Sequence, residues 1–346
     1  MSFGIVKATL SNDVTAVKLA YRDLYPEFAA ALANLTLQPQ QQIVACLGGG
    51  ADSQTILDLL DRWRSEHPEQ RYLAIHLDHQ FHPNSGTWAQ GLARDCARRQ
   101  FPHHGEVLTV AQGNRVSKEA AGREARYQRL TELADADAIM LLGQHRNDQI
   151  ETLLLQLKRG AGPKGLAAMA KQTDAGQGAG TQTWLRPLLG VSKAEIYAYA
   201  HHHKLFWIED DTNQDTRIER NFLRHKVVPV LEQRWPQFGA SVLRSASLCA
   251  EQQQVLEELL TAQLATLCDA SGALRVDSLR ALSPATQRAL LRQWLQQQQA
   301  TMPSYAQLEQ IREQMLYTSN DRQPCIEWGR FRLSRSRQRT LQLSQR

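Results

Sequence analysis

The stretch that constrains this chain most is QIVACLGGGADSQTILDLLDRW, residues 42–63. QIVAC reads as a short buried strand, and Ile56, Leu59, Leu60 and Trp63 fall on one helical stripe, so three consecutive glycines stand at a strand-to-helix turn. Backbone without Cβ can curl there until several N–H groups converge on one concave site at the positive end of a helix dipole. That geometry suits an anion, most often phosphate. A plain structural turn would use glycines as well, so Gly48, Gly49 and Gly50 take their weight from the residues after them. Ala51, Asp52 and Ser53 open the helix, where the ordinary role of Asp and Ser is capping. Beside a bound triphosphate the same aspartate can hold Mg²⁺, and the same hydroxyl can donate to a phosphate oxygen.

With 346 residues, 42% of them hydrophobic, the chain can bury a full core and is long for one domain. After a helical stretch around residues 16–35, the strand-like segments QIVACL, RYLAIHL, HGEVLTV and AIMLLG alternate with amphipathic helices. This alternation predicts an α/β fold, a doubly wound parallel sheet with helices on both faces and ligands beyond the carboxyl ends of its strands. From about residue 240 the pattern turns helical, with Leu256, Leu259, Leu260, Leu264 and Leu267 expected in a core. Ser283 before Pro284, and Ser304 with Gln307, read as helix starts, and a short β-rich end begins at Pro324. The expected division is an N-terminal helical extension over 1–37, an α/β domain over 38–225 and a mainly helical domain over 226–346.

The net charge of +5 is compatible with a nucleic-acid partner without requiring one. Five scattered cysteines, with no C-x-x-C pair, argue against a zinc knuckle or an iron–sulfur site and fit a reducing cytoplasm. The N-terminus lacks a basic start with a long apolar run, and no segment reaches the ~18 apolar residues that span a bilayer. A soluble cytoplasmic protein without a membrane partner is expected.

Other motifs carry two readings each. GAGPKG, Gly160–Gly165, matches G-x-G-x-x-G but follows a helix, whereas a dinucleotide fingerprint needs strand, turn and helix in that order. QHRNDQIET puts Asp148 and Glu151 on one helical face near a strand end. They could hold a metal or a cationic substrate, or be solvated carboxylates stabilised by the helix dipole. Glu119, Arg123 and Arg126 in EAAGREARY read by themselves as salt-bridge partners. His201–His203 belong to a solvated face, because consecutive helical residues point about 100° apart and cannot meet one ion. His76 and His79 follow a strand, as core or loop histidines or as part of a site.

Together these stretches resemble one family. GGGADS is similar to the S-G-G-x-D-S loop of the PP-loop ATP pyrophosphatases, whose fold is adenine nucleotide alpha hydrolase-like. HLDH, EAAGREARY, HRNDQIETLLLQLKRGAGPKGL, RPLL and WIEDDTNQDTRIERNFLRHKVVPVL narrow the resemblance to the tRNA(Ile)-lysidine synthetases. It runs through residues 40–240 and more loosely beyond.

The resemblance implies an ATP-dependent ligase. ATP would adenylate the carbon-2 carbonyl of the wobble cytidine in a CAU anticodon, releasing pyrophosphate, and the ε-amine of free L-lysine would then displace AMP. By the same resemblance, Gly48, Gly49, Gly50, Ala51, Asp52 and Ser53 would bind ATP, with Asp52 also holding Mg²⁺. Asp148 and Glu151 would serve the lysine or its activation, and Arg123, Arg220 and Arg224 would meet phosphates or RNA. The helical C-terminal part would bind tRNA, with Arg335, Arg337 and Arg339 as an RNA-facing strip or as a charged edge that discourages aggregation. A homodimer is left open. Three departures stand out: Gly48 replaces the family's serine, Gln80-Phe81 replaces Gly-Leu after H-V-D-H, and the further C-terminal domain of longer members is not expected. Two rival readings are another PP-loop enzyme, such as a tRNA thiolase, and a degenerate relative that binds tRNA without catalysis.

Overall fold

The computed structural model describes residues 21–109, 118–174, 182–319 and 323–345, and for 118–120 the backbone only. Most of the expected N-terminal extension, residues 1–20, therefore lies outside the described residues. The chain separates into two compact units, residues 1–247 and 248–346.

In the first unit α1 (Tyr25–Ala33) precedes β1 (Gln42–Leu47), α2 (Ala51–Glu66), β2 (Arg71–Asp78), α3 (Ser85–Arg98) and β3 (His103–Val107). Then come α4 (Lys118–Leu133), β4 (Ile139–Leu141), α5 (Arg146–Lys158), the short α6 (Pro163–Leu166), β5 (Gln172–Asp174) and β6 (Thr183–Leu185). After α7 (Lys193–His202), a 3₁₀ turn (Asp211–Gln214) leads to α8 (Glu219–Phe222), a π-helical turn (Leu223–Val227), α9 (Val228–Arg234) and the long α10 (Phe238–Leu267), which begins in this unit and ends in the second. The sheet order is β3-β2-β1-β4-β6-β5, parallel throughout except for the antiparallel edge strand β5.

Strand period explains why this sheet is covered twice. Ile43, Ala45 and Leu47 of β1 join a core with side chains of α1, α2 and α7, while Val44 and Cys46 join a second core with Leu130 of α4. Ile139 and Leu141 of β4 go with the first core, and Met140 goes with the second. The doubly wound expectation is met, with two short strands, β5 and β6, beyond those legible in the sequence. His202 and His203 of the histidine run stack on Tyr21 and Tyr199, and all three histidines are solvent-exposed.

The second unit has its own core. β7 (Leu274–Arg275), α11 (Val276–Arg280), α12 (Pro284–Gln297) and α13 (Tyr305–Tyr317) lead to β8 (Cys325–Trp328), β9 (Phe331–Arg335) and β10 (Thr340–Gln345). The strands form an antiparallel sheet ordered β7-β10-β9-β8. Ser283 accepts from the Thr286 N–H at the start of α12, and Ser304 and Gln307 form a capping box on α13, as the sequence predicts. Leu260 and Leu264 enter the core with Trp294 and Leu308, whereas Leu256 and Leu259 are exposed, contrary to expectation. The buried stripe of α10 is narrower than its leucine spacing suggests.

The expected strip of Arg335, Arg337 and Arg339 does not form. Phe331 and Leu333 point inward from β9, and the two-residue period turns Arg335 inward with them. Its guanidinium, 3% exposed as a residue, donates to the carbonyls of Met315, Thr318 and Ser319 at 2.7–3.1 Å. Arg337 is exposed in the following turn, and Arg339, at φ +60°, pairs with Asp277 at 2.6 Å. Arg335 is thus a bracket on the C-terminal end of α13. Replacing it with Ala strands those carbonyls, and urea unfolding is expected to show a loss of roughly 2–4 kcal/mol. Arg337→Ala is expected to stay within about 0.5 kcal/mol of wild type.

Candidate functional site

Strand order reverses at β1, which leads to β2 on one side and has β4 on the other. In open α/β sheets the loops that leave such a pair splay apart and form a crevice. Here the loops are 48–50 after β1 and 142–145 after β4. The second meets the backbone of the first turn of α2, since a Cβ on Gly143 would stand 3.1 Å from both Asp52 C and Ser53 N.

Two of the three loop glycines have steric duties that differ. Gly49 has φ +89°, its carbonyl accepts from the Ile208 N–H at 2.9 Å, and a Cβ there would strike Ile208 Cδ1 at 2.9 Å. Gly48 is not left-handed, and a Cβ there would touch only the Arg126 guanidinium nitrogens at 3.7 and 3.8 Å. Gly50 is the N-cap of α2, and no side chain among the described residues caps it. The hydroxyl of Ser53 accepts from the Gly49 N–H and donates to the Gly50 carbonyl, each at 3.1 Å, closing the loop from within. The result is the open N-terminus of a 16-residue helix beneath a fixed glycine turn.

A line of charge runs from this turn into the protein. Asp52 Oδ1 lies 3.5 Å from His145 Nε2, and His145 Nδ1 lies 3.5 Å from Asp148 Oδ2. The His145 N–H donates to Asp148 Oδ2 at 3.0 Å, fixing the first turn of α5. Arg224, in the π-helical turn, lies 3.7 Å from Asp148 Oδ1 and donates to both oxygens of Glu151 at 2.7 and 3.1 Å. Glu151 is 1% exposed. Asp52 differs: its side chain keeps 34% of its area in solvent, yet Oδ1 is buried and has no hydrogen-bond partner. Burial raises its pKa, while His145 pulls it back and Asp148 adds to the rise.

Two hollows flank the turn. One, about 460 Å³, is lined by Gly50, Ala51, Asp52, Lys193, Tyr197, Ile208, Glu209, Asp210, Asn213, Gln214, Arg224 and His225, a mixture of both charge signs. The other, about 300 Å³, has an aromatic and basic wall of His79, Phe81, Gly122, Arg123, Arg126, Tyr127, Leu130 and Leu142. Asp52 offers a hard oxygen to a cation. His82, Asp210 and Asp211 also bring ligand atoms within 4.8 Å of one another, but Asp210 already accepts from Thr212 and Asp211 lies 3.2 Å from His82.

The structure gathers Gly48–Ser53, Asp148, Glu151 and Arg224 at one crevice, with Arg123 in the neighbouring hollow. Arg220 is turned to Thr152 Oγ1 at 2.9 Å, and Arg335, Arg337 and Arg339 belong to the other unit. The roles expected for Glu151 and Arg224 are joined, because each occupies the other. Sequence reading gave no site role to Arg126, His145 or Lys193. Arg126 was legible one helical turn beyond Arg123, and His145 stood inside the QHRNDQIET motif, but Lys193 carried no signal.

A PP-loop domain model matches residues 22–231, and a TilS substrate binding domain model matches residues 274–341. A tRNA(Ile)-lysidine synthase of Idiomarina loihiensis is 58% identical over 304 residues, 88% of this chain and 67% of that protein. One from Serratia proteamaculans is 42% identical over 316 residues, 90% of this chain and 70% of the relative. Among solved structures, a U34-tRNA thiolase from Methanococcus maripaludis aligns at a TM-score of 0.55 and 15% identity, covering 66% of this chain and 78% of that one. That last likeness is one of fold.

The unequal duties of the glycines make a prediction. Gly48→Ser meets no steric barrier, and its hydroxyl gains a bond to a charged partner, so ATP affinity is expected to rise about threefold to tenfold. Gly49→Ala strains a left-handed residue and drives Ile208 off, so ATP binding is expected to fall at least about tenfold. Equilibrium ATP titrations of the two variants would read both changes, and equal affinities would sink the assignment.

Proposed function

Because this chain belongs to the tRNA(Ile)-lysidine synthase family of PP-loop enzymes, we propose that its crevice joins free lysine to the wobble cytidine of isoleucine tRNA at the expense of ATP. A ring carbonyl oxygen is a poor leaving group, so an amine can replace it only after it becomes a phosphate ester. The carbon-2 oxygen attacks the α-phosphorus and pyrophosphate leaves; the ε-amine then attacks carbon 2, and AMP departs with the original oxygen. The amine's protons pass to the surroundings.

The observation that carries this reading is the meeting, at one switch point, of an uncapped glycine turn with the line Asp52–His145–Asp148–Arg224–Glu151. The turn and the start of α2 supply N–H groups to phosphate oxygens, preorganised where charge develops. Asp148 offers a carboxylate to the attacking amine, oriented by the His145 backbone. Glu151 acts through Arg224, holding its guanidinium in the cleft. The mixed lining, with Lys193 and Arg224 beside Glu209 and Asp210, suits an amino acid that carries both charges and an extra cation. A divalent ion fits Asp52, whose buried Oδ1 has no hydrogen-bond partner; when bound, Mg²⁺ would neutralise triphosphate charge and polarise the phosphorus. Arg220 and the exposed Arg337 are offered as RNA phosphate contacts, and anticodon bases must be unstacked to be read.

The test is incubation with ATP, Mg²⁺, isotopically labelled lysine and tRNA, followed by nucleoside mass spectrometry. A labelled lysine-bearing cytidine is expected, together with AMP and pyrophosphate. ATP turnover with any other nucleoside product, or tRNA binding without turnover, would overturn the proposal in favour of its two rivals.

Asp52 carries a separate prediction. A carboxylate with a buried oxygen that accepts no hydrogen bond weakens the ligand-free fold, so Asp52→Asn is expected to raise Tm while lowering lysidine formation roughly a hundredfold or more. Mg²⁺ with a non-hydrolysable ATP analogue is expected to raise the wild-type Tm further and the variant's far less. Equal Tm gains in both forms would remove Asp52 from the metal site.

A further inference from the structure

The hollow beside Arg123 and Arg126 has chemistry unlike the mixed-charge cleft. Among the described residues its wall holds no carboxylate to pair with an ammonium group, and two guanidiniums there would repel a cation. Lysine therefore does not suit it. Arg126 stands beside the glycine turn, with guanidinium nitrogens 3.7 and 3.8 Å from where a Gly48 Cβ would be, so one end of the hollow faces the phosphate-binding loop. At the hollow's rim Phe81 lies over His79 with ring centroids 5.3 Å apart and planes at 26°, yet Phe81 remains 57% exposed.

A single exposed Phe is ordinary on a protein surface. The surroundings of this one are not. Gly122 sits inside α4, where glycine weakens a helix, and a Cβ there would come within 3.1 Å of two Phe81 ring carbons. The missing Cβ is what lets the ring lie against α4. Gln80, just before it, takes φ +53°, a conformation that favours glycine, and its N–H donates to Asp78 Oδ1 at 2.8 Å. The chain thus accepts a left-handed glutamine and a helical glycine around an aromatic ring that still shows much of its surface. The buried Nδ1 of His79, 3.5 Å from the same vacant Gly122 position, has no hydrogen-bond partner among the described residues.

We propose that Phe81, backed by His79, is a nucleobase-stacking residue that takes the ring of a nucleotide whose phosphate side faces Arg126 and the glycine turn. Offset stacking of aromatic rings at this spacing leaves the outer ring available to a further ring. The proposal rests on the reading of the site as one that uses ATP and tRNA, since both supply such a ring: the adenine of ATP, or an unstacked anticodon base.

The full-length protein and its F81A, F81L and F81W variants would be compared in two binding measurements. One titrates a non-hydrolysable ATP analogue with Mg²⁺ and no tRNA; the other titrates tRNA without nucleotide. F81A is expected to weaken one of the two by roughly fivefold to a hundredfold, F81L by less, and F81W is expected to bind as wild type does. Loss in the ATP arm assigns the platform to adenine, and loss in the tRNA arm assigns it to an anticodon base. Unchanged affinity of F81A in both arms, or F81W as weak as F81A, overturns the proposal. The melting temperatures should agree, since the ring is exposed, and F81L keeps the test sound if F81A is unstable. A wild-type protein that binds both ligands but makes no lysidine would defeat the functional reading, while these binding ratios would still decide the role of Phe81.

Discussion

Everything at the crevice depends on the buried pair between Glu151 and Arg224. Burying a carboxylate to 1% exposure is costly unless good partners offset its desolvation, and both of its oxygens accept from one guanidinium. The partners stand 73 residues apart in the chain. Closing that distance ties α5, which follows β4, to the π-helical turn that follows α8. One arginine thereby brings the later segment, with Asn213 and His225, to the wall of a cleft whose floor is the glycine turn. The π-helical register is a local irregularity of the sort that recurs at functional sites.

The crevice also divides stability from function. Around the turn, satisfied contacts predominate: Ser53 closes the loop, Gly143 meets the backbone of the first turn of α2 and Ile208 bonds to Gly49. Asp52 departs from this pattern, since its buried Oδ1 accepts no hydrogen bond and has only His145 Nε2 nearby, at 3.5 Å. A fold selected for stability alone would pair or replace it. It stands between a helix N-terminus and His145, and burial pushes its pKa up. The rigid glycine turn supports that carboxylate, as a site on regular elements can hold a costly group in place.

The second unit uses charge in the opposite way. Arg335 is turned into the protein, where its donors are taken up by the backbone at the end of α13. Arg312, nearby in the same unit, donates to Gln287 Oε1 at 3.0 Å and to Glu309 at 2.6 and 2.8 Å. These arginines organise helices, and the number of basic residues in this unit therefore overstates the charge at its surface. Its exposed basic residues include Arg330, Arg332 and Arg337.

The sequence by itself determined what near neighbours decide. The run 42–63 specified strand, turn and helix because a two-residue period, three glycines and a 3.6-residue stripe succeed one another within 22 residues. Ser283 and Ser304 announced helix starts for the same local reason, and the ordered motifs were enough to reveal the family. Strand β6, Thr183–Leu185, was too short to show a period. Arg335 could have been placed by counting alternate positions from Phe331 and Leu333, but its charge argued for the surface, and burial among carbonyls overruled that argument. Only the tertiary structure decided that Glu151 and Arg224 neutralise each other, that Arg126 approaches Gly48, and that Gly122 makes room for Phe81. Those outcomes depend on contacts between distant segments, where a side chain's partner is set by how the elements pack and not by the residues beside it in the chain.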